Sequence, residues 1–172
     1  MTLRISEIDT PVGRLLAAFD PQGVLRRIAF VRDAPVAAAL QAISRGEGES
    51  VVWEPAAGET LARELEEYFA GERRAFDLPV DARGSAFDRR VWDALREIPY
   101  GQTMSYGDVA QRIGETGAAR AVGRACALNP VPILVPCHRL VGAGGRLTGY
   151  AGGLDAKRKL LALEGALPSS FL

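Results

Sequence analysis

Histidine and cysteine are scarce in this sequence of 172 residues, which has one histidine, His138, and two cysteines, Cys126 and Cys137. Two cysteines cannot build the disulfide framework of a small secreted domain, and the N-terminal residues lack the apolar core of a signal peptide. No apolar run approaches the roughly 18 residues that span a membrane. We therefore expect a cytoplasmic protein that makes no use of a membrane. A content of 48% hydrophobic and 24% charged residues predicts folded domains rather than disorder.

Lysine is absent from residues 1–82, where 9 arginines stand against 14 acidic residues and the net charge is −5. Residues 83–172 contain 12 basic and 7 acidic residues, a net charge of +5. This division favours a second half that faces a polyanion and a first half that stays away from it. A chance distribution of solvated charges is an equally open interpretation.

The order of the patterns predicts an α/β protein of two domains, divided near the sequence DARGSA, where the charge balance changes. The first domain, residues 1–82, begins with three short strand-like runs, LRISEID, RLLAAFD and GVLRRIAFV, separated by turn sequences. Two helical patterns follow, APVAAALQAIS and ETLARELEEYFAGE, and AFDLPV is a candidate edge strand. We expect a small sheet with helices here.

The second domain, residues 83–172, is predicted to be mostly helical. SAFDRRVWDALREI begins with a serine N-cap candidate, and LDAKRKLLALEG ends with Gly165 at its C-terminus. Between them, SYGDVAQRIG and GAARAVGRACALN are typical of a helix-turn-helix. The second of these helices is rich in Gly and Ala, with Arg120 and Arg124 on one face. Tight helix packing explains that composition, but the charge division favours a helix that enters a nucleic-acid groove.

The stretch VPCHRLVG places the single histidine directly after Cys137. A thiolate rather than a thiol is the nucleophile, and His138 could act as its base through a water molecule. A Cys-His hydrolase usually takes its histidine from a distant segment, which this chain cannot supply, and a zinc site would need further ligands. From the motif alone, an inert buried cysteine stays an equal alternative.

The region ALNPVPILVPCHRLVGAGGRLTGYAGGLDAKRKLLALEG resembles the active-site region of the O6-alkylguanine-DNA alkyltransferases, or methylated-DNA–protein-cysteine methyltransferases. The similarity extends upstream to about residue 84, and PCHR followed by GYAGG is highly specific, whereas residues 1–82 carry no such motif. The resemblance implies a winged-helix-like second domain that repairs DNA by direct reversal without a cofactor. The alkyl group of O6-alkylguanine, and as a second substrate O4-alkylthymine, would pass irreversibly to the cysteine, so that each molecule reacts once.

The resemblance also implies catalytic roles for five residues. Cys137 would accept the alkyl group, His138 would deprotonate it through a water, and Glu164 would orient the histidine. Tyr106 would donate a proton to the departing guanine, and Asn129 would hold the backbone of the active-site segment. Core packing for the tyrosine and a helix-terminal cap for the asparagine are the plainer alternatives.

Contacts with double-stranded DNA are implied for the second helix of the pair, which would lie in the minor groove. Arg120 would enter the duplex and replace the flipped-out nucleotide, while Tyr106 would crowd the neighbouring phosphate. The small residues Ala121 and Gly123 would allow close approach, and Arg124 would add a further contact. We expect a monomer and leave open whether molecules bind DNA cooperatively.

The pocket for the flipped base is expected to include Tyr150 as a wall and the backbone amide of Ala151, which stands where some relatives carry a serine. We also assign Leu140, Pro132 and Met104 to this pocket. The surrounding glycines would keep the loop thin, although a glycine-rich loop is otherwise a flexible connection.

Two further expectations concern metal and the second cysteine. Residues 1–82 contain no Cys or His, so we expect no zinc site there, although some relatives bind zinc in this domain. Cys126 falls in the predicted groove helix, where we expect it to line the pocket or groove without a part in the chemistry.

The main alternative function is a non-catalytic alkyltransferase-like protein that binds the lesion. Such relatives lack the reactive cysteine and usually the first domain, so Cys137 and residues 1–82 argue against it. A cysteine hydrolase lacks its distant histidine here. A DNA-binding regulator would leave Cys137, His138 and Glu164 unexplained.

Overall fold

The computed structural model describes residues 1–172, which form two compact units, Met1–Ala82 and Arg83–Leu172. The first unit combines a sheet with helices and the second is mainly helical, which confirms the predicted α/β fold class. None of the helices is both long and apolar enough to cross a membrane.

The first unit contains a four-stranded sheet in the spatial order β3-β2-β1-β4. Its strands are β1 (Thr2–Thr10), β2 (Gly13–Phe19), β3 (Leu25–Val31) and β4 (Ser50–Trp53). The first three pair antiparallel in sequence order, and β4 joins the free edge of β1 in parallel. That parallel pairing needs a crossover, which helix α1 (Val36–Glu47) supplies.

One face of the sheet is covered by α1. A cluster of fully buried side chains lies between them, formed by Leu3, Ile5, Leu16, Ala18 and Ile43. The second helix of this unit, α2 (Glu59–Phe69), buries Leu61, Leu65 and Tyr68 at helical spacing. The first three predicted strands and both predicted helices of this unit are therefore present, with two differences at the sheet edges.

The two differences have local causes. The sequence did not predict β4, because its four residues are too few for a period and Val52 and Trp53 are exposed. The predicted edge strand AFDLPV (75–80) is wrong, since only a single bridge joins Val80 to Leu25. Pro79 has no N–H to donate, and the N–H of Asp77 donates instead to the buried carboxylate of Glu64 at 2.8 Å.

The second unit contains four helices and one very short parallel strand pair. The helices are α3 (Ala86–Arg96), α4 (Tyr106–Arg112), α5 (Ala119–Ala127) and α6 (Leu154–Leu163), and the strands are β5 (Met104–Ser105) and β6 (Leu140–Val141). Helices α3, α4 and α5 pack against one another, so α4 and α5 form the predicted helix-turn-helix on a third helix. Trp92 of α3 is buried and its indole N–H donates to the carbonyl of Ala125 in α5 at 2.9 Å.

The beginning of α4 is fixed by a capping box. The hydroxyl of Ser105 accepts from the N–H of Asp108 at 3.0 Å, and the Asp108 carboxylate accepts from the N–H of Ser105. This reciprocal pair satisfies two backbone donors of the first turn. The capping box also fixes the start of α4 at Tyr106, the first residue of the helix.

We expect Ser105→Ala to lower the free energy of unfolding by about 1 kcal/mol, because the N-cap acceptor of α4 is lost. Urea denaturation followed by far-UV circular dichroism measures this change. Ser170→Ala is the control, since Ser170 is exposed near the C-terminus and caps no α-helix. Equal denaturation midpoints for the two variants would contradict the assigned cap.

Candidate active site

The segment that carries Cys137 is held by a single asparagine side chain. The Nδ2 of Asn129 donates to the carbonyl of Val135 at 2.9 Å, and its Oδ1 accepts from the N–H of Val131 at 3.0 Å. Between these anchors, Ile133 is buried and adopts φ = 74°, a left-handed conformation that is rare for a β-branched residue. The Asn129 side chain thus closes a tight loop just before the cysteine and opposes the strain that the loop contains.

Cys137 begins a 3₁₀ turn that ends at Arg139, and its side chain is 5% exposed. It lies at a cavity of about 410 Å³, a volume within the range of small-molecule sites. The cavity is lined by Tyr106, Gly123, Cys126, Ala127, Cys137, Gly149, Tyr150 and Ala151. The helix-turn-helix, the cysteine turn and the glycine-rich loop therefore all contribute to one pocket.

The surroundings of Cys137 favour its thiolate. The side-chain hydrogen bond from Cys126 lowers the pKa of Cys137, with smaller contributions from Asn129 and the Lys157 ammonium, and these together outweigh the opposing effect of burial. The same interaction, with burial, raises the pKa of Cys126. Of the two thiols in the cavity, Cys137 is therefore the one that ionises.

His138 is completely buried and its Nε2 lies 2.8 Å from Oε2 of Glu164. Burial alone would raise the pKa of Glu164, but the hydrogen bonds from His138 and Arg139 and the guanidinium charge lower it to about 2. Burial lowers the pKa of His138 against the pull of this carboxylate. A neutral imidazole beside an anion must donate from Nε2, so Nδ1 is left with its lone pair, and no protein group lies within hydrogen-bonding distance of it.

Arg139 completes this buried network, a role the sequence did not reveal. Its Nε and one Nη donate to the two oxygens of Glu164 at 2.7 and 3.0 Å, and its other Nη donates to the carbonyl of Ile98 at 2.7 Å. The bidentate pair compensates the carboxylate charge inside the unit. Its place directly after the Cys-His pair, in PCHR, was the signal that could have indicated it.

Tyr106 and Lys157 both form hydrogen bonds with Thr148, which lies in the loop that precedes Tyr150. The Tyr106 hydroxyl lies 2.6 Å from the Thr148 hydroxyl, and the buried Lys157 ammonium donates to the Thr148 carbonyl at 3.2 Å. Burial raises the pKa of Tyr106 and lowers the pKa of Lys157. Neither Thr148 nor Lys157 was identified from the sequence, because both act through contacts with residues distant in the chain.

Helix α5 presents two different faces. Arg120 and Arg124 are exposed, whereas Ala121 is half-buried. Gly123 lies against the Tyr106 ring, since a Cβ atom at this position would be 3.9 Å from it. One side of α5 therefore forms a wall of the cavity while its arginines face solvent.

Three residues assigned to the pocket lie elsewhere. Leu140 is buried and pairs with Met104 across the two short strands β5 and β6, and Pro132 is buried in the loop that Asn129 closes. None of the three lines the cavity, whereas Tyr150 and Ala151 do. Cys126 lines it as expected. No group of three or more His, Cys, Asp or Glu side chains is arranged to hold a metal ion.

Comparisons with known proteins agree with this geometry. The family model described as 6-O-methylguanine DNA methyltransferase, DNA binding domain, matches residues 86–166, and the one described as its ribonuclease-like domain matches residues 3–82. A methylated-DNA–protein-cysteine methyltransferase of Mycolicibacterium paratuberculosis is 49% identical over 158 residues, covering 91% of this chain and 89% of the relative. One of Methanosarcina acetivorans is 44% identical, covering 92% and 96%.

A solved structure is similar over nearly the whole chain. The crystal structure of Mycobacterium tuberculosis OGT in complex with DNA matches with a TM-score of 0.81 at 42% identity, covering 96% of this chain and 94% of that chain. The matches include both units and the turn that contains Cys137. The chain therefore belongs to the 6-O-methylguanine DNA methyltransferase family.

Proposed function

We propose that the protein repairs O6-alkylguanine in DNA by transferring the alkyl group directly to Cys137. The observation that carries this function is a thiol with a lowered pKa at the wall of a cavity, followed directly by a histidine that a buried carboxylate orients. Family membership and the name methylated-DNA–protein-cysteine methyltransferase shared by its relatives support the same reaction.

Activation of the thiol begins with the neutral imidazole of His138. Because its Nε2–H donates to Glu164, the lone pair of Nδ1 takes up the proton that Cys137 loses, through a bridging water. The imidazolium that results is stabilised by the carboxylate, which is the orienting role of the third member of a catalytic triad. Burial alone disfavours that charge, so the contact with Glu164 is essential.

Transfer is a substitution at the alkyl carbon. The Cys137 sulfur forms a bond to that carbon, the bond from carbon to O6 breaks, and its electron pair stays on guanine. Tyr106 donates a proton to the departing guanine, and the Thr148 hydroxyl keeps the phenol oriented toward the cavity. A raised pKa keeps Tyr106 protonated until the guanine anion forms.

The product limits each molecule to one reaction. The thiolate of a thioether is a poor leaving group, and no side chain at this cavity is placed to attack the alkyl carbon with activation comparable to that of Cys137. Cys137 is therefore an alkyl acceptor that is consumed, and the protein is a stoichiometric reagent.

DNA reaches the cavity through α5, in the positively charged half of the chain. A duplex buries the O6 atom, so the nucleotide must be flipped out, and the exposed Arg120 fills the space that it leaves. Ala121 and Gly123 allow the helix to lie in the minor groove, and Arg124 contacts a phosphate. The flipped base stacks on Tyr150, the backbone amide of Ala151 donates to O6, and the protein acts as a monomer.

Stoichiometric methylation of Cys137 is the first test. After incubation with a duplex containing O6-methylguanine, we expect the tryptic peptide 125–139 to gain one methyl group, which fragmentation assigns to Cys137 rather than to Cys126. Product formation should stop at one equivalent per protein, and Cys137→Ser should give none. Methyl transfer beyond one equivalent, or methylation of Cys126, would contradict the assigned acceptor.

Arg120→Ala tests base flipping separately from chemistry. We expect repair of the duplex to slow by about 10–100-fold, because filling the vacated stack offsets an unstacking cost of a few kcal/mol. Attack on free O6-benzylguanine, which needs no flipping, should stay nearly unchanged. Arg124→Ala, one helical turn further on, is the matched control and should weaken DNA binding without lowering the rate at saturating DNA. Equal losses of Arg120→Ala on both substrates would exclude intercalation.

The pH dependence tests the histidine. His138 must be neutral to accept a proton, and burial holds its pKa below the ordinary value of 6.5. The rate with free O6-benzylguanine should therefore stay high near neutral pH and fall only as pH drops below 6.5. His138→Gln should slow the reaction by about 100-fold or more and abolish this inflection, with an unchanged circular dichroism spectrum as the control. The same inflection in both proteins would rule out His138 as the base.

A further inference from the structure

The thiols of Cys126 and Cys137 lie together at the wall of the cavity, and both are free. The sulfur of Cys126 is 3.8 Å from the carbonyl oxygen of Cys137, to which its thiol donates a hydrogen bond. Alkyl transfer uses only one of these sulfurs. The second thiol, at the C-terminal end of α5, has no part in the proposed repair reaction beyond its effect on the first.

We propose that Cys126 and Cys137 form a reversible disulfide when a hydroperoxide oxidises Cys137. This modification goes beyond alkyl transfer and does not depend on it, since it needs only the two sulfurs and an oxidant that enters the cavity. Hydrogen peroxide is small compared with the cavity of about 410 Å³ beside both thiols.

The reaction balances in two steps. The Cys137 thiolate attacks one oxygen of the peroxide, the O–O bond breaks, and hydroxide leaves, so that the cysteine becomes a sulfenic acid. The Cys126 sulfur then attacks the Cys137 sulfur, the S–O bond breaks, and the departing hydroxide takes the Cys126 proton as water. Two thiols are oxidised to one disulfide, and one peroxide is reduced to two water molecules.

The two cysteines suit these different parts. Cys137 is the thiolate that attacks the peroxide, because its pKa is lowered, while Cys126 keeps its proton until it is needed. The backbone before Cys137 is held by Asn129, which keeps Cys137 at the cavity that Cys126 also lines while the oxidised intermediate exists. Sulfenic acids condense rapidly with a neighbouring thiol, and the disulfide is the product that dithiols can reduce.

The disulfide would protect Cys137, an acceptor that is used once, from irreversible oxidation. Oxidation of Cys137 beyond the sulfenic acid to a sulfinic or sulfonic acid is irreversible and would consume the acceptor without repairing DNA. A bond to Cys126 stops oxidation at a reducible stage. Protein that a peroxide has oxidised would therefore regain its acceptor thiol on reduction.

Peptide mass spectrometry of the full-length protein tests this proposal. Reduced protein is treated with a small molar excess of hydrogen peroxide, free thiols are blocked with N-ethylmaleimide, and trypsin releases residues 125–139 as one peptide that contains both cysteines. We expect this peptide to lose two hydrogens and to carry no maleimide. When dithiothreitol is added after the peroxide and removed before the maleimide, both cysteines of this peptide should instead carry a maleimide.

Cys126→Ser is the matched variant. Under the same treatment its Cys137 should progress to sulfinic or sulfonic acid, and dithiothreitol should fail to restore most of the thiol. The measured quantity is the fraction of the oxidised Cys137 that reduction restores within each protein, so it requires neither equal repair activity nor an equal rate of oxidation. Wild-type peptides with an oxidised Cys137 and a maleimide on Cys126, or disulfide-linked dimers on non-reducing gels, would overturn the proposal even if alkyl transfer is normal.

Discussion

The negative charge of Glu164 is buried at the C-terminal end of α6, and three donated hydrogen bonds from two consecutive residues hold it there. A buried carboxylate is unfavourable unless it is paired and its oxygens are satisfied. Arg139 supplies the compensating charge and His138 supplies the remaining donor. Arg139 also donates to the Ile98 carbonyl, so one ion pair connects α6, the cysteine turn and the end of α3. The orientation of His138, on which the proposed activation of Cys137 rests, depends on this pairing.

The site balances two effects of burial that act in opposite directions. Burial keeps His138 neutral and therefore able to accept a proton, but it also disfavours the Cys137 thiolate that proton transfer creates. The second effect is offset locally, by the Cys126 thiol, the Asn129 amide and the Lys157 ammonium. The site thus keeps its base neutral before proton transfer and stabilises the charge of its nucleophile after it, and nucleophilic substitution requires both.

Sequence patterns predicted those parts of the protein whose signal is local. The strands β1 to β3 and the helices repeat apolar residues over enough positions to define a period, whereas β4 is short, exposed and paired with β1 through a crossover. The Cys-His pair stood out as a motif, whereas the role of Glu164 was implied only by the resemblance to a known family. Thr148 and Lys157 were not identified, because a contact between distant segments has no period and no fixed spacing. Met104 and Leu140 were assigned to the pocket, but they pair with each other across β5 and β6 and neither lines the cavity.

A consumable acceptor places an unusual demand on the fold. The features that make Cys137 a better nucleophile toward an alkyl carbon also make it a better target for oxidants, since both reactions use the thiolate. Excluding oxidants by closing the cavity would exclude the proposed substrate, the alkylated guanine, as well. A neighbouring thiol avoids that conflict, because it interacts with Cys137 in the resting state and can react with it only after oxidation. The position of Cys126 therefore serves reactivity and recovery at once, without a change in the shape of the pocket.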